Sequence, residues 1–351
     1  MAKYPSGLRK NIRPPGGKIK SLSEDPSSFV LRLLLSASPY YVSGSVLAQR
    51  LKMSRVGVWA RISKLRDAGL SIEASQNRGY RLAAEPDSFN QNLLEAWLQQ
   101  IKKKCKVFVF NSIDSTNSEA ERLLANGETA PFAVVANYQQ KGRGRMGRSW
   151  HSPKTGNLHL SIAFRPNVDL IKLRTFTLWQ GICIARKLRT MTGNEDISVK
   201  WPNDVVVNGR KIAGMLTEAS IDSERVRSLV FGIGININSV SSQFPKPISK
   251  LSISLSDLVG QNFRVHEIAA NFISTILDGY NQCIEGLPNH ELMKNWNELD
   301  ALRDQNIKIT RGKEKIVGRA IGIDENGAVK VKARNGVIQL IHSGEVTLSK
   351  R

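Results

Sequence analysis

Apolar residues recur at helical spacing in three short segments near the start of the chain. Ser54 stands at the N-cap of the third segment, and two β-prone runs around a polar turn at 76–77 follow it. Two short helices joined by a tight turn, with a hairpin behind them, predict a winged helix-turn-helix domain over residues 27–86. The three helices are predicted over residues 29–36, 46–51 and 55–68.

From residue 87 to residue 300, strands alternate with helices, and this predicts an α/β domain with a mixed sheet. The predicted elements are a linker helix at 90–104, strands and helices at 107–110, 118–126, 133–137, 158–164, 170–190, 199, 205–207, 212–218 and 229–237, and late helices at 265–284 and 291–298. Residues 301–351 change to five short strands with glycine turns, which predict a small β-barrel. The fold class is therefore multi-domain α+β.

Charge is uneven along the 351 residues, which carry a net charge of +21. Residues 1–86 hold 15 Lys and Arg against five Asp and Glu, so the basic excess is concentrated at the N-terminal end. This distribution favours a polyanion partner, most simply nucleic acid, over the alternative of a merely basic enzyme. Residues 1–26 are predicted to be a disordered basic tail.

The third helix and the hairpin offer candidate DNA contacts. Val58, Ile62 and Leu65 form a core-facing stripe, so the basic side chains of that helix can lie on another face and enter the major groove. The basic side chains of the wing are expected to contact phosphates. The alternative is a winged helix kept only for packing or protein contacts. The candidate DNA-binding residues are Ser54, Arg55, Arg61, Lys64, Arg78 and Arg81.

Three widely spaced cysteines form no disulfide framework or metal pattern, which fits a reducing, cytoplasmic compartment. No apolar run approaches the roughly 18 residues of a membrane span, so no membrane partner is predicted.

The most informative segment is residues 138–150, YQQKGRGRMGRSW. Its glycines let the backbone approach a ligand, and its arginines grip carboxylate or phosphate oxygens. No Gly-Lys-Ser/Thr follows, so it is not a Walker loop. The segment predicts a clasp for an anion; the alternative is a flexible basic surface loop.

Four further segments accompany this loop: DSTN at 114–117, KWPND at 200–204, GRKIAGMLTE at 209–218 and GIGININ at 232–238. Alone, DSTN reads as an ordinary helix cap, and each of the others is a weak signal. In this order and spacing, the five closely resemble the biotin protein ligases, and the resemblance covers residues 27–351. With its winged helix, the chain looks like the bifunctional ligase and repressor form.

The resemblance implies a central domain of the biotin–lipoate ligase fold, which is similar to class II aminoacyl-tRNA synthetases, and an SH3-like C-terminal barrel. It implies that biotin and ATP form biotinoyl-5′-AMP with release of pyrophosphate, with Mg²⁺ shielding that pyrophosphate. The acyl group then passes to a lysine of the biotin carboxyl carrier protein of acetyl-CoA carboxylase.

A second hypothesis is a repressor that senses the adenylate, dimerises and binds operator DNA of biotin-synthesis genes. A third is a lipoate ligase, against which GRGRMGR with KWPND favours biotin.

Residue roles carry over by position. Lys211 and Arg143 are the catalytic candidates, and Asp204 is expected to order a metal or the lysine, or only to cap its turn. The resemblance assigns biotin to Ser115, Thr116, Asn117, Gln139, Gly142, Arg143, Lys211, Gly214, Gly232 and Gly234. It assigns ATP and the adenylate to Arg145, Arg148, Trp150, Asn203, Lys211 and Asn236.

The sequence departs from the family pattern at two positions. Met146 stands where a second basic residue is common, and His159 stands where an aromatic residue is common. We expect His159 to be a wall residue; the alternative is that it stacks on a ligand.

Overall fold

The computed structural model describes residues 25–349 except 154, 224, 241, 243, 247 and 287. The predicted basic tail therefore lies outside the described residues, apart from Asp25 and Pro26. Residues 25–86 and 92–102 form one compact unit, and residues 87–91 and 103–349 form another.

The N-terminal unit is a winged helix, as predicted. It contains α1 (Pro26–Ala37), α2 (Gly44–Leu51), α3 (Arg55–Asp67), the hairpin of β1 (Ser71–Ser75) and β2 (Gly79–Ala84), and most of α4 (Gln91–Gln100). The linker helix predicted over 90–104 is thus the shorter α4.

Caps and a buried stripe account for the position of α3. The hydroxyl of Ser54 accepts a hydrogen bond from the backbone N of Gly57 at 3.1 Å, which satisfies one of the free N–H groups at the helix start. Val58, Ile62 and Leu65 are the buried residues of α3, and this confirms the predicted core-facing stripe.

A mixed sheet organises the second unit, as predicted. Its order within the described residues is β3-β4-β5-β10-β9-β8-β7, with β6 on β10; β3 and β4 are parallel, and the other neighbours are antiparallel. The strands are β3 (Lys106–Ile113), β4 (Phe132–Gln139), β5 (Asn157–Phe164), β6 (Val168–Asp169), β7 (Ile197–Lys200), β8 (Asp204–Val207), β9 (Arg210–Asp222) and β10 (Arg225–Asn236).

Helices pack on both faces of this sheet. Successive residues of a strand point to opposite sides, so one strand contacts helices on both faces. On β5, Ala163 packs in the cluster that includes Ala120 of α5, while Phe164 stacks on Tyr280 of α9 at 4.0 Å between ring centres. The helices are α5 (Thr116–Ala125), α6 (Phe176–Thr192), α7 (Ile248–Leu251), α8 (Leu255–Val259), α9 (Val265–Glu285) and α10 (Asn289–Leu299).

The single element predicted over residues 170–190 is wrong at its start. Leu170–Leu173 forms a separate 3-10 turn, and α6 begins only at Phe176. Leu173 and Phe176 are both buried, so the apolar pattern continues across the break and the sequence cannot show it.

The C-terminal segment forms the predicted five strands as an antiparallel sheet of order β14-β13-β12-β11-β15. These are β11 (Asn306–Arg311), β12 (Glu314–Ile323), β13 (Val329–Lys332), β14 (Ile338–Ile341) and β15 (Glu345–Leu348). All three cysteines are free thiols. In the part of the chain that the structure describes, none of the helices has the length and apolarity needed to cross a membrane.

Candidate functional site

The glycine-arginine loop joins β4 to β5 and folds back on itself. The backbone N of Trp150 donates to the carbonyl of Gly142 at 2.8 Å, and the backbone N of Gly144 donates to the carbonyl of Arg148 at 2.7 Å. A Cβ atom on Gly142 would lie 2.9 Å from the carbonyl oxygen of Trp150. Glycine at 142 is therefore required by the closure of the loop itself. Met146, the departure from the family pattern, has a side chain 63% exposed.

The indole ring of Trp150 lies over the central strands of the sheet. Gly214 of β9 and Gly234 of β10 are directly paired; a Cβ atom on Gly234 would collide with this ring, and a Cβ atom on Gly214 would collide with the side chain of Lys211 at 2.5 Å. The resemblance assigned both glycines to biotin binding; in this structure the space above Gly234 holds the Trp150 ring and the space above Gly214 holds the Lys211 side chain. The same glycine surface and the ring above it would form a stacking platform for a planar group.

Lys211 stands at the edge of this platform. Its Nζ atom lies 2.6 Å from Oδ1 of Asp204 and 5.3 Å from the centre of the Trp150 ring. Asn236 donates from Nδ2 to the carbonyls of Lys211 and Ile253, at 3.4 and 3.3 Å, and so ties β10 to the backbone that carries the lysine. The ammonium group is thus held beside the aromatic face, with one third of its side chain exposed.

The KWPND turn connects β7 to β8, and its residues contact both the C-terminal sheet domain and β9. Trp201 is buried, and its Nε1 donates to the carbonyl of Gly327 in the C-terminal sheet domain at 3.0 Å. Asn203 donates to the carbonyl of Met215 at 2.6 Å, which fixes the turn against β9. Trp201 therefore anchors the C-terminal domain, and the aromatic residue near Lys211 is Trp150.

The three arginines of the loop contact three different parts of the second unit. Arg143 donates to Glu218 of β9 at 2.7 Å, Arg145 donates to Asn203 at 3.4 Å, and Arg148 forms an ion pair with Glu345 of β15. Burial lowers the pKa of the Arg145 guanidinium from its usual value, so this cation is held in a partly desolvated place. Arg145 is the arginine nearest to the Lys211 side of the site through its Asn203 contact.

Thr116, Asn117 and Gln139, three of the residues predicted to bind biotin, belong to one buried network. Thr116 donates from its backbone N and from Oγ1 to Oε1 of Gln139, at 2.8 and 3.1 Å. Oγ of Ser161 on β5 lies within hydrogen-bond distance of two atoms, Oγ1 of Thr116 at 2.7 Å and Oδ1 of Asn117 at 2.5 Å. Ser115 is buried beside them at the N-cap of α5. The structure thus brings all four predicted residues together.

Two members of this network were not predicted. Ser161 pairs with Gly232 across β5 and β10, and a Cβ atom on Gly232 would collide with the amide of Asn117. Glu218 accepts from Nδ2 of Asn117 at 2.7 Å. Both residues lie in segments already singled out, but only the strand register shows that they face Asn117.

His159 is a wall residue, as expected. Its ring is buried, and Nδ1 lies 3.3 Å from the carbonyl oxygen of Ala136. Burial lowers its pKa to about 4, so the ring is neutral at physiological pH.

No group of three or more His, Cys, Asp or Glu side chains suited to a metal ion occurs among the described residues. The carboxylate of Asp204 is paired with Lys211. Asp204 thus contacts Lys211, the residue that one of its expected roles would order.

The candidate DNA contacts of the N-terminal unit are not equivalent. Lys64 is exposed, whereas the guanidinium of Arg61 lies 3.5 Å from Ser27 of α1 and is turned towards the interior of the unit. Arg81 is held by Glu73 at 2.8 Å. The remaining candidates lie at the start of α3 and on the wing: Ser54 as the N-cap, Arg55 bonded to Ser45, and Arg78 over the ring of Tyr41.

Helix α3 also carries exposed apolar residues that were not among the predicted DNA contacts. Val56 is 74% exposed and Trp59 is 59% exposed, and the two are three positions apart, on one face of the helix. Neither residue was predicted as a DNA contact, because apolar residues in a helix are expected on its buried stripe.

Comparison with known families gives three matches along the chain. The Biotin/lipoate A/B protein ligase family matches residues 109–236, an HTH domain matches residues 27–81, and the Biotin protein ligase C terminal domain matches residues 304–349. The first match contains the loop, the KWPND turn and both paired glycines.

Relatives and solved structures agree with these matches. The chain is 31% identical to the bifunctional ligase/repressor BirA of Escherichia coli over 90% of this chain and 95% of that protein. It is 28% identical to the protein of the same name from Bacillus subtilis over 91% and 97%. The structure of the biotin protein ligase from Aquifex aeolicus in complex with biotin and ATP matches with a TM-score of 0.58 and 28% identity, over 70% of this chain and 99% of that one. The chain belongs to the biotin protein ligase family and has the domain composition of its bifunctional ligase/repressor members.

Proposed function

We propose that this chain joins biotin to ATP as biotinoyl-5′-AMP and transfers the biotinoyl group to a lysine of the biotin carboxyl carrier protein. The observation that carries the proposal is the position of Lys211 beside the Trp150 ring and the Gly214–Gly234 pair. A cation, a stacking surface and a polar pocket then lie within one site, as a reaction between a carboxylate and a nucleotide requires.

The first step brings two anions together. A carboxylate oxygen of biotin attacks the α-phosphorus of ATP, the bond from that phosphorus to the bridging oxygen breaks, and pyrophosphate leaves with the electron pair. Lys211 and Arg145 would offset the negative charge that develops around the α-phosphate. Because Arg145 is partly desolvated, its charge acts there at a lower effective dielectric than at the surface.

Trp150 and the buried polar network would bind different parts of the ligand. Trp150 would stack on adenine, which is worth about 1 kcal/mol as an aromatic contact. Ser115, Thr116, Asn117 and Gln139 would bond the polar ring of biotin, with exchange of some of their present partners. Arg143, on the loop over this pocket, would hold the acyl-phosphate end and exclude water from the mixed anhydride.

Mg²⁺ would enter with ATP as part of the substrate, because this ion binds phosphate oxygens and needs few protein ligands. With Asp204 paired to Lys211, the described residues offer no separate cage for it. Its contribution would be to neutralise the leaving pyrophosphate.

In the second step, the uncharged ε-amine of the carrier lysine attacks the acyl carbon of the adenylate. The bond from that carbon to the phosphate oxygen breaks, AMP leaves, and the amine loses a proton to solvent. The loop must open for this step, because the carrier lysine has to reach an intermediate that the closed loop shields from water.

The winged helix supports a second role as a biotin-responsive repressor. α3 presents exposed Lys64, Val56 and Trp59 in a unit with a large basic excess. We further propose that adenylate binding promotes a homodimer whose two heads span a palindromic operator of biotin-synthesis genes.

The free thiols fit a cytoplasmic location.

The ligase proposal is tested by incubating the full chain with biotin, ATP, Mg²⁺ and a biotin-carrier domain, and weighing the carrier by mass spectrometry. A mass gain of one biotinoyl group on one lysine is expected, and lipoate in place of biotin should give none. A gain with lipoate alone would identify a lipoate ligase. A gel shift with a biotin-synthesis promoter, with and without biotin and ATP, tests the repressor; binding unaffected by the ligands would reject the co-repressor role.

A further inference from the structure

Glu218 joins the glycine-arginine loop to the base of the polar pocket through a single oxygen atom. Its Oε2 accepts from Nη2 of Arg143 at 2.7 Å and from Nδ2 of Asn117 at 2.7 Å. Glu218 lies on β9, four residues after Gly214. One carboxylate therefore contacts both the cover of the site and its floor.

The floor side of this contact is fixed. Asn117 is held at Oδ1 by Ser161, and its amide fills the space that a Cβ atom on Gly232 would need. The Glu218 carboxylate therefore keeps one donor, Asn117, when Arg143 moves away.

On the loop side of the contact, Arg143 can exchange Glu218 for another anion. The side chains of Arg143 and Glu218 are 39% and 30% exposed, so that their ion pair is partly hydrated and of modest strength. A guanidinium can bind a ligand carboxylate or phosphate through two parallel N–H bonds, whereas Arg143 contacts Glu218 through Nη2 alone. A bound anion and Glu218 would therefore compete for Arg143.

A second carboxylate lies at the same place. Glu121 of α5 is 3.8 Å from Nη2 of Arg143, and its pKa is raised by burial and by the charge of Glu218. When Arg143 leaves for a ligand, two carboxylates face each other with less compensation. Ligand binding must overcome this cost.

We propose that Glu218 is a positioning residue that holds Arg143 in the ligand-free protein and opposes its transfer to the anionic end of biotin. This inference rests on the proposed function of Arg143 in binding that end. Its consequence is a chain that binds biotin less tightly than its pocket allows and keeps the loop from closing on an empty site.

The test is biotin binding to the full chain by titration calorimetry, with Glu218→Gln as the variant. Glutamine keeps an acceptor for Asn117 and removes the charge that holds Arg143. The Kd for biotin is expected to fall by about two- to five-fold, the range that a partly exposed ion pair accounts for. In steady-state assays, KM for biotin falls while kcat does not rise. A merely structural role would move the Kd in the opposite direction.

Arg143→Gln supplies the control, because in that background Glu218→Gln should leave the biotin Kd unchanged. Glu121→Gln is a further variant on an exposed side chain outside the Asn117 network, and the Kd of this variant for biotin should fall by about two-fold. Weaker or unchanged biotin binding in Glu218→Gln overturns the inference; should that variant fail to fold, an unchanged Kd in Glu121→Gln overturns it. If the wild-type chain does not bind biotin at all, the proposed function fails, and the inference fails with it.

Discussion

Nζ of Lys211 lies 2.6 Å from Oδ1 of Asp204, so the cation that the reaction needs is held by a carboxylate from the KWPND turn. Removing this cation should remove the first step. We predict that Lys211→Ala lowers the rate of adenylate formation by at least about 100-fold, the size of effect seen when one charge-stabilising donor is lost. Pyrophosphate release with biotin and ATP measures it, and circular dichroism checks the fold. Lys313→Ala, at an exposed turn, should keep the wild-type rate. Near wild-type release by Lys211→Ala would rule out the role.

The partner of this lysine gives a separate prediction. Asp204→Asn keeps the size of the side chain and removes its charge, so Lys211 should lose its fixed position. We expect kcat for adenylate formation to fall by about 10-fold, roughly 1.4 kcal/mol. Raising the Mg²⁺ concentration should not restore it. Recovery at high Mg²⁺ would instead show that Asp204 serves the metal.

The loop arginine next to the pocket is expected to retain the intermediate. Arg143→Gly removes the contact with Glu218 and leaves the loop less able to cover the adenylate. We predict faster escape of biotinoyl-5′-AMP and more biotinylation of lysines on an added non-carrier protein such as serum albumin. Western blotting with streptavidin measures the label. No increase over the wild type would show that the loop does not shield the intermediate.

The paired glycines under Trp150 predict an effect on the nucleotide. In Gly234→Ala, the new methyl group would occupy the place of the indole ring, which must then move. KM for ATP should rise by about 10-fold if stacking and placement of the ring are both lost, while the Kd for biotin alone should change less. Gly57→Ala, in α3 with only ordinary contacts around its new methyl group, is the matched control and should leave ligase kinetics unchanged. Equal losses for biotin and ATP would place the damage in the sheet as a whole.

Exposed Trp59 predicts a loss confined to DNA. Trp59→Ala removes a large apolar contact from the face of α3, so we expect binding to the biotin-synthesis promoter to weaken by about 5- to 100-fold, or 1–3 kcal/mol. Arg61→Ala should matter less, because Arg61 is turned towards Ser27. Fluorescence anisotropy measures the affinity, and ligase activity should stay at the wild-type level in both. A larger loss from Arg61→Ala than from Trp59→Ala would reverse this assignment.

Local patterns in the sequence predicted much of this architecture. The stripe of Val58, Ile62 and Leu65 and the N-cap Ser54 define α3, because spacing and capping act within a few residues. The break between Leu173 and Phe176 was not predicted, because both residues are buried and the apolar pattern does not change there.

The site was predictable as a set of segments but not as a set of contacts. Thr116, Asn117 and Gln139 do meet, whereas Glu218 and Ser161 enter the same network only through strand register and a sheet order that no short pattern encodes. The contact of Trp201 with Gly327 was not predicted either, although a buried indole needs a partner for its N–H group.

The contacts of Trp201 with Gly327 and of Arg148 with Glu345 have a practical consequence for protein engineering. A chimera cut at residue 300 would carry a catalytic segment whose loop and KWPND turn have each lost a native neighbour. Exchange of catalytic segments between relatives should therefore move residues 103–349 as one cassette.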